Sequence, residues 1–150
     1  MIGKGSNLPE TGEVMRYVSW NRLRKDENDN VIGVLPQAFE HRPDEDALSV
    51  TWIDYFGGDR PKNIIASVHQ LRSVMCVGES AAFAIGKVGK IKSVCTASGA
   101  NAVRIVYSPS KANQAHSQIK RVPREDTTLR EALAAEAFTE LVKNSEIAVA

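Results

Sequence analysis

Four side chains, distant from one another in the chain, have the chemistry to hold or act on an anionic substrate: Arg16, His41, Ser49 and His116. An arginine carries a permanent charge on a planar fork of donors that fits phosphate. A histidine moves a proton near neutral pH, provided that it reaches a reacting group and a neighbour orients it. His41 has Glu40, Asp44, Glu45 and Asp46 close by in sequence. His116 follows a Pro- and Asn-containing loop and precedes Ser117 and Gln118, a setting in which binding residues are common. His69 falls instead in a helical pattern beside Val68. Each of these residues is also compatible with an ordinary loop or surface role. A joint site requires that Arg16, Ser49 and His116 meet in one concavity.

Other chemistries are poorly supplied. Asp44, Glu45 and Asp46 could offer oxygen to a hard cation, but the alternating acids and distant glutamate of a calcium loop are missing, so the stretch reads as a solvated acidic docking loop. Cys76 and Cys95 have no Cys-x-x-Cys spacing and no histidine at ligand distance, and both read as small buried hydrophobes. No metal site is expected. Gly57-Gly58-Asp59-Arg60-Pro61-Lys62 lacks the Gly-Lys-Ser/Thr ending of a phosphate loop, and no Gly-x-Ser-x-Gly elbow occurs. No cofactor is implied by any motif.

The order of Arg16, then Ser49 and Thr51, then a late polar residue such as Gln118 is similar to that of ADP-ribosyltransferases. In that family an Arg or His, a Ser/Thr strand and a late Glu hold NAD. The similarity covers scattered positions, with Gln118 or Glu125 where a strand-borne Glu is expected.

Charge is strongly segregated. From Asp26 to Asp59 there are nine acids and one base, Arg42. From Ser80 to Arg124 there is no acid, and Lys87, Lys90, Lys92, Arg104, Lys111, Lys120, Arg121 and Arg124 supply eight bases. Converging on one face, these would attract phosphate, with Tyr107 as a stacking surface. The net charge of +1 equally allows the acidic half to neutralise the basic half inside the fold. A third outcome leaves both patches exposed for a protein partner or a second copy.

The elements that must position these groups follow from periodicity. Glu13–Trp20 alternates as a strand; if Val14 and Val18 face the core, Arg16 is an inward charge that needs an anion, and otherwise it is solvated. Asn21–Asn30 reads as a loop, Val31–Leu35 as a short edge strand, and Leu48–Trp52 as a strand after the acidic loop. A helix is expected from Pro61 to about Met75, with Asp59 or Arg60 capping it. Ala81–Val88 suits a buried strand and Ala102–Ser108 a strand, while Lys90–Cys95 fits a short helix or turn, its β-branched content also permitting a strand. Ser108–Gln114 reads as a polar loop leading to Ala115–Ile119 and then to the basic Lys120–Arg124. A final helix starts near Thr127 or Thr128, with Glu131 as capping partner, and carries its apolar face through Leu141 and Val142.

The expected architecture is one α+β domain over residues 13–143, a three- to five-stranded mixed sheet packed by two main helices. Residues 1–12 form a flexible lead-in and residues 144–150 a frayed tail. No run of eighteen apolar residues and no signal-peptide layout occur, so no membrane span and a cytoplasmic location are expected. The leading functional expectation is a non-enzymatic accessory subunit that docks a protein partner through its charged surfaces. The alternatives are a small enzyme acting on a phosphate-bearing or nucleotide substrate through Arg16, His41, Ser49 and His116, and a nucleic-acid-binding domain using the basic residues 87–124.

Overall fold

The computed structural model describes residues 2–149. Eight strands form: β1 (Glu13–Val18), β2 (Leu23–Lys25), β3 (Val31–Val34), β4 (Ala47–Trp52), β5 (Ala82–Lys87), β6 (Arg104–Tyr107), β7 (His116–Lys120) and β8 (Glu140–Lys143). Six of them make one sheet in the order β6-β7-β4-β1-β5-β8, while β2 and β3 pair separately. Every ladder is antiparallel, so the expected mixed sheet of three to five strands is corrected to an antiparallel sheet of six.

Alternation along the strands gives the sheet two apolar faces, and helices cover both. On one face, Ile64 and Val68 of α1 (Arg60–Val74) pack against Met15, Phe83 and Ile85. On the other, Ile91 and Val94 of α2 (Val88–Ala97) and Leu129 of α3 (Thr127–Ala132) join Val14, Val18, Leu48, Val50 and Ile119. Asp59 caps α1, its side chain accepting from the Lys62 amide, and Pro61 sits in the first turn, where a missing N–H costs no helical bond. No helix among the described residues is long and apolar enough to cross a membrane.

Three stretches depart from the sequence expectation for identifiable reasons. The final helix stops at Ala132, passes through a π-helical turn at Leu133–Ala137, and gives way to β8. Leu141 and Val142, expected on its buried face, pair instead with Ala84 and Phe83. Two adjacent apolar residues satisfy either period, and the open edge of β5 supplied backbone partners for a strand. Asp126, not Thr127 or Thr128, caps α3 by accepting from the Leu129 amide. The stretch after the expected loop Ser108–Gln114, to which the sequence assigned no element, forms β7, whose inward positions are Ser117 and Ile119; a buried serine conceals the alternation.

The expected Asn21–Asn30 loop includes β2, which makes a hairpin with β3. Residues 2–12, read as an unstructured lead-in, run beside β6: the Gly5 amide donates to the Tyr107 carbonyl, the Leu8 amide to the Ile105 carbonyl, and Leu8 is buried. Arg72 likewise reaches the carbonyls of Asn144, Ile147 and Ala148 in the expected tail. Met1 of the lead-in and Ala150 of the tail lie outside the described residues.

Candidate functional site

The site lies where the sheet opens. β1 is paired with β5 from Glu13 to Val18, but with β4 only at Val14–Trp52 and Met15–Thr51. Beyond Met15 the two strands part, and a cavity of about 620 Å³ occupies the opening. Arg16, His41, Ser49 and His116 all line it, together with Arg22 and Thr51. A 3-10 turn, Pro36–Phe39, and the acidic loop that follows it close one side.

Arg16 bridges the parted elements. Its Nε donates to the Ala38 carbonyl at 2.7 Å and its Nη1 to the Ser49 carbonyl at 2.7 Å. The guanidinium carbon also lies 5.9 Å from the centre of the Phe39 ring. No carboxylate oxygen among the described residues lies within salt-bridge distance of it, and Nη2 makes no hydrogen bond. Burial pushes its pKa down to about 10, helped by the charges of Arg22 and Arg42 and opposed by Glu45. It therefore stays charged at neutral pH, and a half-buried charge without a carboxylate partner is stabilised by an incoming anion. Of the two orientations weighed from sequence, the inward one holds.

Ser49 and His116 meet across β4 and β7. The register sets Thr51 opposite His116 and Ser49 opposite Gln118, which places Ser49 diagonal to the histidine. The Ser49 Oγ lies 3.3 Å from His116 Nε2, and His116 Nδ1 lies 2.8 Å from the Ser108 carbonyl oxygen. A carbonyl can only accept, so Nδ1 carries the proton. In the neutral ring Nε2 is then an acceptor, and the Ser49 hydroxyl donates to it. The loop that delivers His116 is fixed by buried Asn113, which accepts from the Ala115 amide and donates to Thr51 Oγ1.

His41 has both ring nitrogens buried without a partner. Burial is the largest cause of its lowered pKa, followed by the positive charges of Arg124, Arg130 and Arg16, with Asp46 opposing. The ring is held neutral by surroundings that favour an anion.

Of the remaining sequence candidates, Glu45 alone is gathered there. Glu45 lines the cavity, 3.9 Å from Arg42 Nη1, whereas Asp44 and Asp46 are exposed. The acidic loop is tied down through its backbone, Arg124 donating to the carbonyls of Arg42 and Glu45. Lys120 and Arg104 face each other in the register beside Ala47, at one end of the sheet. Lys87 pairs with Glu13 at the opposite end, beside which Lys90 of α2 lines a smaller hollow. Lys92 pairs with Glu10, and Lys111 and Arg121 are exposed. None of the ion pairs among the described residues joins the 26–59 stretch to the 80–124 stretch. Gln118 and Glu125 do not line the cavity.

Sequence reasoning missed Arg22, Asn113 and the Ser108 carbonyl. Arg22 gave no signal beyond its charge; Asn113 stood in a polar loop whose turn chemistry was visible, but whose contact with Thr51 spans 62 positions. The fold and site together define an α+β protein with a cationic cleft cut into an antiparallel sheet. No known protein family, curated protein or solved structure matches the chain.

Proposed function

We propose that this protein is a small enzyme that binds a phosphate-bearing or nucleotide substrate in the cleft between β1 and β4. The observation that carries the reading is the convergence of Arg16, His41, Ser49 and His116, spread over 100 positions, on one cavity. Its volume falls within the range common for small-molecule sites, roughly 300–1,000 Å³. Arg16 supplies the anchor for a phosphate: two of its donors fix it to the walls and Nη2 remains for the ligand. Ser49 and His116 stand at the same cavity as the groups able to move a proton.

The order similar to ADP-ribosyltransferases keeps its arginine and its Ser/Thr strand in contact, Arg16 being bonded to the Ser49 main chain. The carboxylates available to the cavity are Glu40 and Glu45 rather than Gln118 or Glu125. Docking through charge alone has less support, because the basic residues divide between opposite ends of the sheet.

The test is calorimetric titration with pyrophosphate, ADP and NAD at low and high salt. Binding that weakens at least about tenfold in Arg16→Lys, a point charge without the planar fork, is the expected result. Absence of binding by all three at millimolar concentration removes the proposal.

A further inference from the structure

We propose that Ser49 is a nucleophile activated by His116, and that the cleft transfers a phosphoryl or nucleotidyl group through a covalent Ser49 phosphoester; this rests on the phosphate-binding reading above. The inference starts from the hydrogen-bond direction. The Ser108 carbonyl, 2.8 Å from Nδ1, locks the ring tautomer and leaves the Nε2 lone pair directed at Ser49 Oγ, 3.3 Å away. A hydroxyl becomes a useful nucleophile when a base stands in reach and a third group orients that base. All three parts are present here. A solvated surface serine would need none of them, and Ser49 is exposed in the middle of a strand whose neighbours Leu48 and Val50 are buried.

The electrophile follows from the charge in the cavity. Arg16 lines the same cavity and is bonded to the main-chain carbonyl of Ser49, so a phosphoryl group on the Ser49 hydroxyl would sit in a cavity that already carries this uncompensated positive charge. In the proposed step the Ser49 Oγ–P bond forms and the bond from phosphorus to the leaving oxygen breaks. The Oγ proton passes to His116 Nε2 and from there to the leaving oxygen. Water, deprotonated by the same nitrogen, then cleaves the Ser49 phosphoester and returns the proton to Oγ.

A fluorophosphonate tests this with no knowledge of the natural substrate: Oγ–P forms, fluoride leaves, and the proton goes through His116 to solvent. The intact protein is incubated with the probe and the adduct mapped by peptide mass spectrometry. Expected is modification of Ser49 about a hundredfold or more faster than of exposed Ser80 or Ser145 in the same molecules, the scale of general-base assistance. In His116→Gln, with folding checked by circular dichroism, the Ser49 rate should fall to that of the other serines. Equal labelling of Ser49 and Ser80 in the wild-type protein overturns the inference without recourse to any variant. So does an undiminished rate in His116→Gln. Selective labelling of Ser49 in a protein that fails to bind pyrophosphate, ADP or NAD keeps the nucleophile and discards the phosphate ligand; binding without labelling does the reverse.

Discussion

The two flanks of β1 are built from the same strand and serve opposite ends. Toward β5 the ladder is complete over Glu13–Val18, and the packing behind it is tight. Gly86 sits there because a β-carbon would come within 2.9 Å of the Ala137 carbonyl oxygen. Toward β4 the ladder has two rungs and then opens on the cavity. Each flank has its arginine. Arg60 is clasped by Glu13 at 2.7 Å and Glu140 at 2.5 Å, and these bonds raise its pKa. Arg16 has carbonyls in place of carboxylates, and burial lowers its pKa to about 10. A charge neutralised within the fold serves structure; a charge partly desolvated and left without a carboxylate is available to a ligand.

The largest expected difference between the flanks is in stability. Phe83, fully buried on the closed side, should cost about 3–5 kcal/mol when changed to Ala, a large share of a typical domain's stability. Ser49→Ala, on the open side and exposed, should stay within about 0.5 kcal/mol in the same urea titration. Comparable losses would mean that the cleft is a packed seam.

Next come the arginines. Arg16→Ala leaves two carbonyls without their donor and should lose about 1–3 kcal/mol along with phosphate affinity. Arg60→Ala should lose about 1 kcal/mol, because Arg60 and Glu140 are exposed and only Glu13 is largely covered, and keep the affinity. A ligand affinity that falls equally in both variants would erase the distinction between them.

The smallest effect is in pH. His41 is held below its ordinary 6.5 on the open flank, mainly by burial, so the unfolded chain binds its proton first. The stability present above pH 6.5 is therefore lost as pH falls through the folded value. Glu13, held below its ordinary 4.5 first by the hydrogen bond from Arg60, acts with the same sign in a more acidic window, losing its contribution below pH 4.5. His41→Gln should flatten the stability curve just below pH 6.5, and Arg60→Ala only the limb below pH 4.5. A His41→Gln curve that superimposes on the wild type would show that this ring keeps its ordinary pKa on folding.

Local chemistry legible in the chain settled several elements. Asp59 and Pro61 start α1, and the alternation Leu48, Val50, Trp52 makes β4. The apolar run Ala82–Ile85 marks a strand covered on both faces. Less legible were β7, whose buried position is a serine, and β8, where tertiary pairing overrode a helical pattern. Of the site, the four residue types were visible, and so was the requirement of an anion for an inward Arg16. Their meeting was not, because His116 and Ser49 are 67 positions apart and their contact depends on a strand that the pattern concealed.

By itself, then, the sequence determined an α+β chain, its principal helix and the chemistry available to it, since these depend on neighbours within a few residues. Tertiary structure decided the number of strands, the direction of their pairing and where β1 and β4 separate. Those are properties of backbone hydrogen bonds between distant segments, which any strand offers to any edge. The loss of pairing after Met15, more than any motif, brought a half-buried arginine, a serine and two histidines to one cavity.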